Sequence, residues 1–125
     1  MKILVVDDEE DVQVLFEQRF RREIKDAVLE FVFARSGEEA LEFMQTYQQR
    51  PLIILSDINM PGMSGLDLLK RIKKDYEKPP MVVMMVSAYG DEENFNAAKQ
   101  YGADDFLTKP VDFGVLKNKL KIQMV

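Results

Sequence analysis

Five residues with reactive or charge-binding side chains stand at the ends of apolar runs. Asp7 and Asp8 follow KILVV (residues 2–6), Asp57 follows LIILS (52–56), Ser87 ends MVVMMVS (81–87), and Lys109 with Pro110 follows DFLT (105–108). Singly, each has an ordinary structural reading. Asp7, Asp8, Glu9 and Glu10 would favour the positive N-terminal end of a following helix, Asp57 would open a turn, Ser87 would satisfy local backbone, and Lys109 would be solvated. Brought together, they mean more. Three carboxylates in one pocket repel, and without compensation one of them keeps its proton. One lysine leaves two negative charges over, which a divalent cation neutralises. Oxygen-only ligands with few protein contacts suit Mg²⁺. A carboxylate nucleophile, Mg²⁺ and a lysine are the parts of phosphoryl transfer through an aspartyl phosphate.

The elements that would gather these residues follow from the hydrophobic rhythm. Besides the four runs above, VLEFVFA (28–34) reads as a strand, and four of the five strands are nearly continuously apolar, as parallel strands covered on both faces are. Helical spacing lies between them: Val12, Leu15, Phe16 and Phe20; Ala40, Met44 and Tyr47; Leu66, Leu69 and Ile72. SGEE (36–39) reads as a capping box, with Ser36 as N-cap and Glu39 reaching back, and SGLD (64–67) as a weaker start signal. Asp91 and Asp112 are candidate N-caps of two later helices, the second carrying a stripe of Phe113, Leu116, Leu120 and Met124. Five β-α units in succession predict an α/β fold, a doubly wound five-stranded parallel sheet flanked by five helices. In such sheets ligands bind beyond the carboxyl ends of the strands, where the five residues stand.

Composition limits the alternatives. The chain has 125 residues, 46% apolar and 31% charged, which predicts a single folded domain over 1–125. No run is long enough to cross a membrane, and DDEED cuts off any signal-peptide reading of MKILVV. With no cysteine to form disulfides, a cytoplasmic location is expected. A net charge of −5 weighs against nucleic-acid binding. The chain has no histidine, so it lacks a histidine base, a histidine zinc ligand and any phosphohistidine of its own.

The motifs VVDDEE (5–10), D-x-x-M-P-x-x-x-G at Asp57, Met60, Pro61 and Gly65, VSA (86–88) and GADDFLTKP (102–110) resemble the receiver domain of two-component response regulators along essentially the whole chain. The sequence is similar to the single-domain chemotaxis and phosphorelay regulators of that family. The resemblance implies a flavodoxin-like strand order of 2-1-3-4-5, with Asp57 as phosphoacceptor. Mg²⁺ would be held by Asp7, Asp8, Asp57 and the backbone carbonyl of Asn59. Ser87, Ala88 and Lys109 would bind the phosphoryl group, and the Lys109–Pro110 peptide would be cis. Ser87 and Phe106 would form the switch, drawing in a loop and repacking an aromatic; the alternative reading of Phe106 is an ordinary core residue. Tyr89 would modulate the lifetime of the acyl phosphate by shielding it from water, or is a surface tyrosine without kinetic role. Implied partners are a sensor histidine kinase or histidine phosphotransfer protein, and an output domain or target protein. A homodimer would use the face made by the fourth helix, fifth strand and fifth helix.

Rival readings founder on particular residues. A magnesium phosphohydrolase of the haloacid dehalogenase kind needs an acid–base aspartate two residues after the nucleophile, where this chain has Asn59. A nucleotide or flavin domain of similar topology would carry a Gly-rich loop after the first strand, and DDEED stands there instead. A degenerate, binding-only receiver would not be expected to keep Asp7, Asp8, Asp57, Ser87 and Lys109 together.

Overall fold

The computed structural model describes residues 1–47, 52–76, 81–88 and 90–123. Five parallel strands, β1 (Lys2–Val6), β2 (Glu30–Ala34), β3 (Leu52–Asp57), β4 (Met81–Ala88) and β5 (Asp105–Lys109), form one sheet in the order β2-β1-β3-β4-β5. This is the expected order. Alternation along each strand separates two cores. Leu4, Val6, Ile54, Val83 and Met85 face one side, and Ile3, Val5, Ile53, Leu55, Met84, Val86 and Leu107 face the other. Because both sides are covered, the strands read as continuous apolar runs and show no polar alternation.

The helices are α1 (Asp11–Arg19), α2 (Arg21–Lys25), α3 (Gly37–Thr46), α4 (Gly65–Asp75), α5 (Glu92–Gln100) and α6 (Phe113–Gln123). Buried residues of α3, α4 and α5 (Ala40, Met44, Leu68, Leu69, Ile72 and Ala98) join the first core. Phe16 of α1, the adjoining Phe20, and Leu116 and Leu120 of α6 join the second. The expected five helices are thus six among the described residues. The helix foreseen after the first strand breaks at Phe20, whose φ of −108° and ψ of 22° leave the helical region. The Phe20 ring stays fully buried, 5.0 Å from the Phe31 ring and 5.9 Å from that of Phe113. The chain changes direction about this anchor, and Leu15, read as part of the apolar stripe, is exposed.

Helix starts follow the cap chemistry. Ser36 Oγ accepts from Glu39 N–H at 3.1 Å, Ser64 Oγ from Asp67 N–H at 3.2 Å, Asp91 Oδ1 from Asn94 N–H at 3.3 Å, and Asp112 Oδ1 from Gly114 N–H at 2.9 Å. The third strand extends one residue past the run LIILS, so Asp57 pairs with Val86 inside the sheet. The second strand is shorter than VLEFVFA, pairing only from Glu30 opposite Lys2. Met124 lies outside the described residues.

Candidate functional site

The site is built at the carboxyl edge of β1, β3, β4 and β5. Asp57 is the last residue of β3 and only 4% exposed. A buried carboxylate is tolerable only with partners, and Asp57 has two. Lys109 Nζ donates to Oδ2 at 2.6 Å, and the Asn59 backbone N–H donates to Oδ1 at 3.3 Å. Lys109 ends β5, reached through the β4–β5 pairing of Ala88 with Lys109. Lys109 Nζ also stands 3.8 Å from Asp7 Oδ2 and 3.8 Å from Glu9 Oε1. The Lys109–Pro110 peptide is cis.

Asp7, Asp8 and Asp57 each offer a carboxylate oxygen within 4.8 Å of the others. Such a set of oxygen donors, with one member buried, one half-buried and one exposed, suits a hard cation that keeps part of its water shell. The chemistry of the residues therefore fits Mg²⁺. Burial pushes the Asp7 carboxyl above its ordinary pKa. The charges of Asp57 and Glu9 add to the effect, while the Glu9 backbone N–H, 3.0 Å from Asp7 Oδ1, and the Lys109 charge oppose it. Burial works to lower the pKa of Lys109, but the Asp57 hydrogen bond and the charges of Asp57, Asp7 and Glu9 outweigh it and hold the ammonium above its ordinary value. The surrounding carboxylates thus favour the charged form of Lys109.

Ser87 is buried near the end of β4, paired with Thr108. Strand alternation puts Ser87 on the same face as Met85, and the pairing of Met85 with Phe106 puts Phe106 there too. Phe106 is apart from the acidic cluster and packs on Phe95 of α5, ring centroids 4.5 Å apart. Ala88 is exposed at the strand end beside Lys109, and Tyr89 lies outside the described residues.

The sequence reading missed one contributor and gave no physical reason for another. Glu9, read as a helix-terminus charge, approaches Lys109; the acidic run was its only signal. Gly65, read as a position of the D-x-x-M-P-x-x-x-G motif, begins α4 against the site strand. A Cβ there would lie 2.1 Å from the Asp57 carbonyl oxygen and 2.7 Å from Ile58 Cα. Only glycine allows this approach, which the hydrogen bond from Gly65 N–H to the Ile58 carbonyl, at 2.8 Å, secures.

Residues 3–121 match the family model of the response regulator receiver domain. The chain is 31% identical over 120 residues to sporulation initiation phosphotransferase F of Bacillus subtilis, covering 96% of this chain and 90% of that protein. It is 38% identical over 108 residues to the DNA-binding transcriptional regulator NtrC of Klebsiella pneumoniae, covering 86% of this chain but 21% of NtrC. Among solved structures, a response regulator from Chloroflexus aurantiacus superposes with a TM-score of 0.80 at 32% identity, over 96% of this chain and 93% of that one. The chemotaxis protein CheY4 of Vibrio cholerae does so with 0.75 at 29%, over 96% and 95%. Receiver domains typically bind Mg²⁺ at an acidic cluster, and an acidic cluster is what the strand ends assemble here. With fold, acidic edge and family match in agreement, the chain belongs to the response regulator receiver domains, the phosphoacceptors of two-component signalling.

Proposed function

We propose that Asp57 is the residue that accepts the phosphoryl group, from a phosphohistidine on a sensor kinase or histidine phosphotransfer protein. One observation carries this reading. Asp57 is a buried carboxylate 2.6 Å from a lysine ammonium and within reach of two further carboxylates. Asp7, Asp8, Asp57 and the Asn59 carbonyl would hold Mg²⁺, which offsets the negative charge that would otherwise repel an incoming phosphoryl group. An Asp57 carboxylate oxygen forms a bond to phosphorus as the phosphorus–nitrogen bond of the donor phosphohistidine breaks, and the electron pair leaves with the donor's imidazole. Lys109, released from its direct contact with Asp57, pairs with a phosphoryl oxygen, and Ser87 and the Ala88 backbone take up another. Phe106, on the face of the sheet that Ser87 shares, repacks against α5 and carries the change to the surface formed by α5, β5 and α6. That surface meets the output domain or target protein, or a second copy of the chain.

In this reading residues 1–125 act as one receiver unit in the cytoplasm. The unit is a stoichiometric acceptor that later loses its phosphoryl group to water, with no turnover of a separate substrate. The test is the intact mass of the protein after incubation with Mg²⁺ and acetyl phosphate, beside Asp57→Asn. The expected result is a gain of one phosphoryl group that requires the metal and is absent in the variant. A gain of equal size in Asp57→Asn would overturn the assignment.

A further inference from the structure

The loop 58–64 joins β3 to α4 and carries Asn59. Both of its ends are tied down. The Asn59 N–H donates to Asp57 Oδ1 at 3.3 Å, and the Gly65 N–H donates to the Ile58 carbonyl at 2.8 Å. A third attachment comes from a different helix. Glu38, in the first turn of α3, accepts the Met63 N–H on Oε1 at 3.2 Å. The same carboxylate lies over Gly62, whose φ is 75°; a Cβ there would stand 3.7 Å from Glu38 Oε1 and 3.9 Å from Oε2. The Met63 side chain packs on the first core and lodges against buried Gly37, where a Cβ would come within 2.7 Å of its Sδ. Gly37 and Glu38 thus grip the loop from the side, one by leaving room for a thioether and the other by a charge-assisted hydrogen bond.

We infer that Glu38 is a positioning residue for the metal site: by holding the Met63 N–H, it sets the loop so that the Asn59 carbonyl stands in place before Mg²⁺ arrives. The inference rests on the reading that this carbonyl is one of the Mg²⁺ ligands. Glu38 is not among the carboxylates gathered at the strand ends, so it acts through the loop backbone. Without it the Met63 N–H turns to water and the loop gains freedom. Mg²⁺ must then order the Asn59 carbonyl as it binds, and the entropy lost in doing so weakens binding. The Glu38 charge has a separate effect, favouring the positive N-terminal end of α3 and attracting cations over a distance. Charge and grip are separable. Glutamine keeps an acceptor oxygen and loses the charge, whereas alanine loses both.

The experiment compares the natural chain with Glu38→Gln and Glu38→Ala. Glu38 is exposed, and alanine and glutamine are both good helix formers, so both variants are expected to fold, with denaturant unfolding as the check. Hydrogen exchange of the Met63 amide, followed by NMR in metal-free buffer, reads the grip itself. Titration calorimetry gives the Kd for Mg²⁺, and the acetyl phosphate rate across Mg²⁺ concentrations separates affinity from chemistry. In Glu38→Ala the Met63 amide should exchange faster and the Kd should rise about three- to tenfold, the scale of one lost hydrogen bond. The rate at saturating Mg²⁺ should stay within about twofold, because bound metal restores the loop. Glu38→Gln should keep the exchange rate and the Kd near those of the natural chain. An unchanged Kd or an unchanged Met63 exchange rate in Glu38→Ala overturns the inference. A Kd raised equally in Glu38→Gln also overturns it, because charge alone would then account for the effect. Failure of the natural chain to bind Mg²⁺ overturns the metal-site reading, and this inference with it.

Discussion

Replacing Gly65 by alanine sets two physical effects against each other, and the structure decides the sign. Alanine forms helix better than glycine, so propensity alone predicts a gain of about 0.5–1 kcal/mol. The new Cβ, however, would stand 2.1 Å from the Asp57 carbonyl oxygen, 2.7 Å from Ile58 Cα and 2.9 Å from the Asp57 carbonyl carbon. Close carbon–oxygen contacts settle near 3.3 Å, so backbone must open by about 1 Å. The obstacle is main chain, which no side-chain rotation relieves, and overpacking of this kind costs roughly 1–3 kcal/mol or somewhat more. The net expectation is a loss of about 1 kcal/mol or somewhat more. The displacement falls on the residue that bears the reacting carboxylate, where an error of about 1 Å costs up to roughly 100-fold in rate. Denaturant unfolding of Gly65→Ala in metal-free buffer measures the first effect, and the acetyl phosphate mass assay the second. A variant as stable as the natural chain or more so would refute the close-approach argument, because propensity would then have prevailed.

Four further outcomes are expected. Lys109→Met leaves Asp57 buried without its cation, and unfolding in metal-free buffer should show a loss of about 2 kcal/mol, short of a fully buried pair because Lys109 is one-third exposed. Titration calorimetry should find tighter Mg²⁺ binding in the same variant, because a competing positive charge is gone; weaker binding would contradict the electrostatics. Asp7 has a folded-state pKa raised above its unfolded value, so its favourable contribution is complete below the unfolded value and is lost as pH rises through the folded one. Metal-free Asp7→Asn should therefore be more stable than the natural chain at neutral pH, and denaturation across pH should show the gap closing on acidification through that window. Ala27 sits at φ 57° after α2. The left-handed conformation costs a non-glycine residue about 1–2 kcal/mol, against about 0.5–1 kcal/mol of extra chain entropy lost by glycine. Ala27→Gly should thus raise stability by about 0.5–1 kcal/mol, read as an increase in Tm.

The sequence by itself determined what depends on neighbours along the chain. The apolar runs at residues 2–6, 52–56 and 81–87 become strands because each buries both faces of a covered sheet. Ser36, Ser64, Asp91 and Asp112 start helices because a short polar side chain can accept the unpaired N–H groups two or three residues on. With the strands placed, the alternation of β and α elements put Asp7, Asp8, Asp57, Ser87 and Lys109 at one edge. Tertiary structure decided everything measured between chain-remote groups. Phe20 continues the helical spacing of Val12 and Phe16, yet the helix breaks there, with its ring held in the core by Phe31 and Phe113. Gly65 is a motif position in the sequence, but the reason for glycine there appears only when α4 comes down on the backbone of Asp57 and Ile58. Glu9 is one acid in an acidic run until the fold sets Lys109, one hundred residues later, 3.8 Å away. A cavity of about 740 Å³ beside Asp57 has no local signal at all, because its lining comes from α1, the sheet and the entry to α6. Periodicity and cap chemistry are short-range and legible in the sequence, whereas a distance across the sheet is fixed only when the whole core packs.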